Sequence, residues 1–385
     1  MSIQWNTIIE NAINFRHQLH QHPELTWHEE KTAANVRKNL DELGIEWREC
    51  AQHGTVGTIA KNATGKHIAL RGDIDALPIQ EQTALDYCSK EQGKMHACGH
   101  DGHTAALWAA AAWLKQHEAQ LPGPVSFIFQ PAEEGGHGAR EMINAGALDG
   151  VDEIYGWHNW PAIALGKAVC PDGPVMSGNG VFTITVKGEG GHASQPELCR
   201  DPVLAAAAII LNLQQIISRR LAPQDAAVVS VTSMDAVSGL TVIPHEAKIA
   251  GSVRLSKPEL RQTINQLIED ISLHTANTYG VSAVVDIEDR YEATINHAQA
   301  ATRYRAALQT QFGEAWLSED TTTPIMASED FSYYLQKVPG AFALIGMSDG
   351  EKFHYPCHSP HYEFNDQLLE PVVRVFVALA GGPKP

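Results

Sequence analysis

Three short apolar runs early in the chain end in the same way. HIALRGD, PVSFIFQ and IYGWH each climb through core-type residues and stop at groups that a core cannot bury unpaired: Asp73, the corner leading to Glu133 and Glu134, and His158. Helical patterns lie around and between them. INFRHQLHQ ends at the His22-Pro23 pair, because proline disfavours helical geometry in the residue before it. EEKTAANVRKNLDEL ends at Gly44, and TAALWAAAAWLKQHEA is alanine-rich throughout. Strands separated by helices pair through crossovers, so the pattern predicts a mostly parallel α/β sheet covered by helices. In such sheets the working groups collect beyond the carboxyl ends of the strands.

The pattern changes near Ser177. VFTITVKG alternates with a period of 2, as expected of a sheet with one exposed face. PVLAAAAIILNLQQIISRR reads as a helix, AAVVSVTSM and AKIAGSVRLS as strands, KPELRQTINQLIEDISLHTANTYG as a helix and SAVVDIEDRY as a last strand. The order β-α-β-β-α-β is that of a ferredoxin-like unit. The expected organisation is a discontinuous domain over 1–177 and 295–385, with a second domain, 178–294, inserted into it.

Bulk properties narrow the partners. The 385 residues suffice for two domains, and a net charge of −17 argues against nucleic acid or an anionic membrane as the main partner. No apolar run approaches the ~18 residues of a membrane span, and the opening residues lack a basic leader with an apolar core. The six cysteines, Cys50, Cys88, Cys98, Cys170, Cys199 and Cys357, show no framework spacing, which suits reduced thiols and a cytoplasmic location.

The densest chemistry is MHACGHDGHT. Cys98 and His100 flank Gly99 on a tight turn, where thiolate and imidazole can converge on zinc or a similar divalent ion. Asp101 or His103 could orient a ligand from behind. A thiol nucleophile, Cys98 with His100 or His103, and plain helix capping are the competing readings. In QPAEEGG, Glu133 and Glu134 sit between proline and glycines, where the backbone can turn both carboxylates inward. His158 lies between two tryptophans in GWHNWP, and His358 is one of three histidines in HYPCHSPHYEF. Together Cys98, His100, Glu134, His158 and His358 would satisfy two closely spaced divalent ions, with Glu133 placed to act as a general base.

The chain resembles the metal-dependent aminoacylase/carboxypeptidase-like amidohydrolases, in the branch of hippurate hydrolase, N-acyl-amino-acid amidohydrolases and indoleacetyl-amino-acid hydrolases. RHQLHQHPEL, LRGDIDALPI, HACGHDGHT, QPAEEGGHGA, WHNWP, GGHASQP, TVIP, ASEDFSYY and CHSPHYEF carry the resemblance in order. It implies a zinc-peptidase-like catalytic domain interrupted by a lid that dimerises. It implies a pair of divalent ions, zinc, manganese or cobalt, on Cys98, His100, Glu134, His158 and His358, with Glu133 as base. Cys98 stands where other branches carry a bridging carboxylate, and Asp73 where they carry a ligand histidine, a loss for which His100 compensates. Asp75 resembles the aspartate that orients the site. His192 resembles a lid histidine that reaches a neighbouring active site and polarises the scissile carbonyl, and Arg254 an arginine associated with the substrate carboxylate. Thr241 departs from the asparagine of many relatives and offers one donor in place of an amide's two. The implied activity is hydrolysis of an N-acyl amino acid by a homodimer. A dipeptidase or carboxypeptidase of the same family, or a binding protein without catalysis, are the alternatives.

Overall fold

The computed structural model describes residues 3–385. The chain divides into two compact units: one runs to Val175 and resumes over Ile295–Thr323 and Asp330–Pro385, and the other holds Met176–Thr294 with Pro324–Glu329.

The first unit is built on a seven-stranded sheet. Its strand order is Trp47–Cys50, Gly54–Ile59, Val125–Gln130, Ile68–Asp73, Glu153–Ala164, Gly340–Ser348 and Ala168–Val169. The four strands from Val125–Gln130 to Gly340–Ser348 run parallel, and antiparallel strands close both edges. Every residue of Ile68–Asp73 and Val125–Gln130 is buried, as continuous apolar strands covered on both faces must be. The helix His100–Gln116 packs on Ile68–Asp73 and against the helices Trp5–Gln21 and Leu369–Leu379. Its buried alanines, Ala105, Ala106 and Ala109–Ala112, permit that close approach on several sides.

The helix expected to end at His22-Pro23 does so, spanning Trp5–Gln21 with His22 as its C-cap. The next, Glu30–Glu42, gives way to Gly44 at φ +68°. One strand differs from expectation. IYGWH does not end at His158, because the strand continues to Ala164 alongside Gly340–Ser348. Its pairing with Ile68–Asp73, however, stops at Leu70–Tyr155. His158 therefore lies past the point where the two strands part, which has the same consequence as a strand end.

The second unit has the β-α-β-β-α-β order. Strands Gly178–Lys187, Ala227–Asp235, Glu246–Leu255 and Ser282–Asp289 form an antiparallel sheet in the order second, third, first, fourth. Helices Pro202–Leu213 and Leu260–Thr278 pack against it. Alternate residues Phe182, Ile184 and Val186 point into a core shared with Ile209, Ile264 and Ile268. The long helix expected through Arg220 is α-helical only to Leu213; Ile216–Arg220 forms a π-helical turn. All six cysteines are free thiols. Among the described residues no helix is long and apolar enough to cross a membrane.

Candidate metal centre

The site assembles around one carboxylate. The strand Ile68–Asp73 carries the chain to Asp75, whose side chain is 1% exposed and accepts from four directions. Oδ1 receives the Glu133 amide at 3.1 Å and Nδ1–H of His100 at 3.2 Å. Oδ2 receives the Glu134 amide at 3.0 Å and the Thr26 hydroxyl at 2.9 Å. The loop after Val125–Gln130 thus presents two successive N–H groups to Asp75. Ala132 (φ +57°) and Gly135 (φ +85°) turn the backbone to do so.

The ring orientations follow from these bonds. His100 Nδ1 donates to Asp75, also reaching its carbonyl oxygen at 2.9 Å, so Nε2 is directed inward. That atom is buried without a hydrogen-bond partner among the described residues, 3.6 Å from Asp73 Oδ2. His158 donates Nδ1–H to the Asn159 carbonyl at 2.6 Å, which leaves the Nε2 lone pair 3.3 Å from Cys98 Sγ. Cys98 precedes Gly99 (φ +96°), where a Cβ would lie 2.3 Å from Asn159 Oδ1 and 2.5 Å from Tyr362 Oη. Only glycine fits there. His358 is delivered by a loop, not a strand end: its amide donates to the Ala97 carbonyl at 2.8 Å, and its Nε2 lies 3.0 Å from Glu134 Oε1. The contact is close but poorly aligned, and Glu134 Oε1 lacks a satisfying hydrogen bond.

These atoms fall into groups whose members all lie within 4.8 Å of one another: Cys98, His100 and His158; Cys98, Glu134 and His358; and His100, Glu133 and Glu134. Two of the triads share the Cys98 thiol. A further group, Asp73, His100 and His103, is of different character. His103 Nδ1 meets Asp73 Oδ1 at 2.5 Å and Nε2 meets Asn159 Oδ1 at 2.8 Å. Asn159 gives its side-chain amide to the Tyr362 hydroxyl and its backbone N–H also faces His103 Nε2 at 3.4 Å, so both His103 nitrogens are already engaged by protein groups. Asp73 is bound from the other side by Arg71 at 2.5 Å. Burial opposes its charge, but Arg71, His100 and His103 hold its carboxyl well below the usual range.

The electrostatics ask for a cation. The neighbouring Cys357 thiol, burial, and the Glu134 and Glu133 carboxylates push Cys98 well above the ordinary thiol range. A nucleophilic cysteine needs the opposite shift, so the thiol-nucleophile reading loses its support. Burial works against a charged His100, yet Asp73, Asp75 and Glu134 raise it to about 10. The site thus draws a positive charge to His100 Nε2, where a metal ion would displace the proton. Burial, with His103 and His100 alongside, keeps His158 far below the ordinary imidazole range and in its neutral, ligating form. An orphaned buried Nε2, a neutral imidazole, an unsatisfied carboxylate oxygen and a thiol form a donor set that fits divalent ions.

Glu133 is 6% exposed, and one of its oxygens accepts the Asp330 amide at 3.3 Å. In the other unit, His192 is exposed and its Nδ1 accepts from the Ser194 amide at 3.1 Å, which places the ring proton on Nε2. A short antiparallel ladder pairs His192 with Val242, and the Ala193 amide donates to the Thr241 carbonyl at 2.9 Å, so His192 and Thr241 lie side by side on two segments distant in sequence. Arg254 lies elsewhere in that unit, on Glu246–Leu255 opposite Asn179.

Sequence patterns left out the supporting residues. Thr26, Glu29, Arg71, Asn159 and Tyr362 carry no ligand signature of their own. Their position inside or beside the quoted motifs was the one available signal.

Residues 69–381 match the model of peptidase family M20/M25/M40. The chain belongs to this family. It is 38% identical to the IAA-amino acid hydrolase ILR1-like 5 of Arabidopsis thaliana, over 96% of this chain and 85% of that one. It is likewise 38% identical to the N-acetylcysteine deacetylase of Bacillus subtilis, over 96% and 95% of the two chains. Its structure is similar to that of the Bacillus subtilis YXEP protein, a dinuclear metal binding peptidase of the M20 family. The TM-score is 0.84 at 34% identity, covering 97% of this chain and 98% of that one. Within the M20 fold, the paired triads sit where the Ile68–Asp73 and Glu153–Ala164 strands diverge.

Proposed function

We propose that this M20-family chain is a metal-dependent amidohydrolase that cleaves the amide bond of N-acyl amino acids, releasing a carboxylate and a free amino acid. The observation that carries the reading is the pair of triads joined at Cys98 with Glu133 beside them. The named activities of the relatives support the substrate class, since both split an acyl group from an amino acid.

Cys98, His100 and His158 would hold one divalent ion, and Cys98, Glu134 and His358 a second. Zinc, manganese or cobalt there would supply Lewis acidity for a water nucleophile and for the substrate carbonyl. Asp75 fixes the tautomer of His100 and the direction of the acidic loop. Glu133 accepts a proton from the attacking water at its carboxylate and delivers it to the leaving amine nitrogen. His192, with its proton on Nε2, would donate to the carbonyl oxygen of a substrate in a neighbouring active site as charge develops there. Arg254 pairs with the substrate carboxylate, and Thr241 supplies a single hydroxyl contact.

The chain acts as a cytoplasmic homodimer through its Met176–Thr294 segment. The strongly exposed Leu204 and Leu211 on Pro202–Leu213 support that reading, and light scattering tests it.

The deciding experiment is Glu133→Gln. The variant is expected to keep its metal while turnover falls about 10³-fold, and an active Glu133→Gln enzyme would end the assignment. A kinetic panel of acetyl- and arylacetyl-amino acids against free dipeptides then separates acylase from peptidase.

A further inference from the structure

The acidic loop is gripped from behind by a segment that the mechanism does not use. Three residues of Thr26–Glu29 each take a polar backbone atom of the loop. The Thr26 hydroxyl donates to the Glu134 carbonyl at 3.3 Å, and the Trp27 indole N–H to the Gly136 carbonyl at 3.1 Å. Glu29 Oε1 accepts the Ala132 amide at 2.9 Å. The same oxygen accepts the Trp27 amide at 3.0 Å.

Those two amides have something in common. Trp27 (φ +62°) and Ala132 (φ +57°) are both left-handed non-glycine residues, a conformation that persists only where surroundings impose it. One carboxyl oxygen ties the two together. Glu29 is 0% exposed, and its second oxygen has no hydrogen-bond partner among the described residues. It is anchored at the start of the helix Glu30–Glu42, where its carbonyl accepts the Ala33 amide at 2.9 Å. The fit is tight: a Cβ on Gly136 would lie 2.6 Å from Thr26 Cγ2 and 2.7 Å from Trp27 Nε1.

We propose that Glu29 is a positioning residue for the catalytic base: it holds the Ala132 turn from which Glu133 is aimed, and so governs turnover without touching substrate or metal. This rests on the reading of Glu133 as base. The Glu133 and Glu134 amides both rest on Asp75, but Ala132 directly precedes Glu133, so loosening its turn reaches the base before the ligand. Burial and the Asp75 charge push Glu29 up to about 8, so at neutral pH it is mostly the uncharged acid. Glutamine reproduces that form, with a carbonyl oxygen for both amides.

The test compares Glu29→Ala, Glu29→Gln, Glu133→Gln and the Glu29→Ala/Glu133→Gln double variant, all as full-length metal-loaded enzyme. Metal content and thermal midpoint are measured beside kcat and KM. Glu29→Ala is expected to lose about 10–100-fold in kcat, the cost of a small misplacement of a reacting group, with KM and metal content unchanged. Glu29→Gln restores kcat to within about threefold of wild type. In the Glu133→Gln background, Glu29→Ala costs nothing further, because there is no base left to aim.

An unchanged kcat in Glu29→Ala overturns the proposal. So does a full second loss in the double variant, or a parallel fall in bound metal. Should Glu29→Ala not fold, Glu29→Asp carries the test: one methylene shorter, it is expected to lose kcat with metal retained, and an unchanged kcat again overturns. An active Glu133→Gln sinks the base assignment itself. Wild-type turnover in Glu29→Ala beside a dead Glu133→Gln sinks only the role of Glu29.

Discussion

His158 and His358 both stand beside Cys98, yet one is sealed and the other half open. The triad of Cys98, His100 and His158 is buried throughout, with each imidazole fixed by a bond to its far nitrogen. In the triad of Cys98, Glu134 and His358, the Glu134 side chain is 14% exposed and the His358 side chain 51%. His358 also sits on a loop residue at φ +70°. A dry, preset triad and a wet, loop-borne one should hold their ions with different tenacity.

The largest effect should come from the atom the triads share. Cys98→Ala is expected to lose both ions and more than about 100-fold in turnover, exceeding the usual cost of an outer-shell change. Elemental analysis reads the first and steady-state kinetics the second. One ion retained at full occupancy would mean that the triads are independent, and the comparison fails.

The next effect should separate the two. A competing chelator should strip the wild-type protein in two phases, the faster belonging to the open triad. His358→Ala is expected to lack the fast phase and retain about one ion, whereas His158→Ala loses the tightly held one. A single phase in the wild type would show that exposure does not set exchange here. Asp75→Asn reaches both triads through His100, Glu133 and Glu134, and should weaken both ions by about 10–100-fold. A loss confined to one phase would show that Asp75 serves only one side.

Much of this arrangement could be read from residues alone, and the limits are instructive. The parallel sheet was legible because its strands are continuous apolar runs, and the antiparallel unit because VFTITVKG alternates. Clustering of Cys98, His100, Glu134 and His158 followed from where those runs stop. The extension of the IYGWH strand to Ala164 was not legible, since pairing with Gly340–Ser348 depends on a segment far along the chain. Nor was the difference in burial between His158 and His358, which comes from what packs over each. The engagement of His103 by Asn159 depends on the orientation of that amide, which also donates to the Tyr362 hydroxyl. Glu29 reads as one more surface glutamate at a helix start until its fold neighbours are known.

The smallest expected effect concerns what braces the sealed triad. His100 opens the helix His100–Gln116, and the next residue, Asp101, ties that helix to Trp5–Gln21. Asp101 Oδ2 accepts from Arg16 at 3.0 Å and from His20 Nδ1 at 2.9 Å, all three side chains being buried. The second His20 nitrogen faces Glu81 at 3.4 Å. Burial disfavours a charged His20, but Asp101 and Glu81 outweigh it and raise the imidazole from 6.5 to about 9. A group raised on folding stabilises fully below its unfolded value and loses that contribution as pH rises through the folded one. His20→Asn should therefore destabilise most at pH 6, by about 3 kcal/mol at the outside. The deficit relative to wild type should shrink between pH 6.5 and 9. Thermal melts of both proteins across that window test it, and a deficit that stays constant would assign His20 to packing alone. His358, by contrast, is carried on a loop whose backbone donates to the Ala97 carbonyl. A pH-dependent deficit in His20→Asn that leaves the fast chelation phase untouched would therefore place the rigidity of the site on its sealed side.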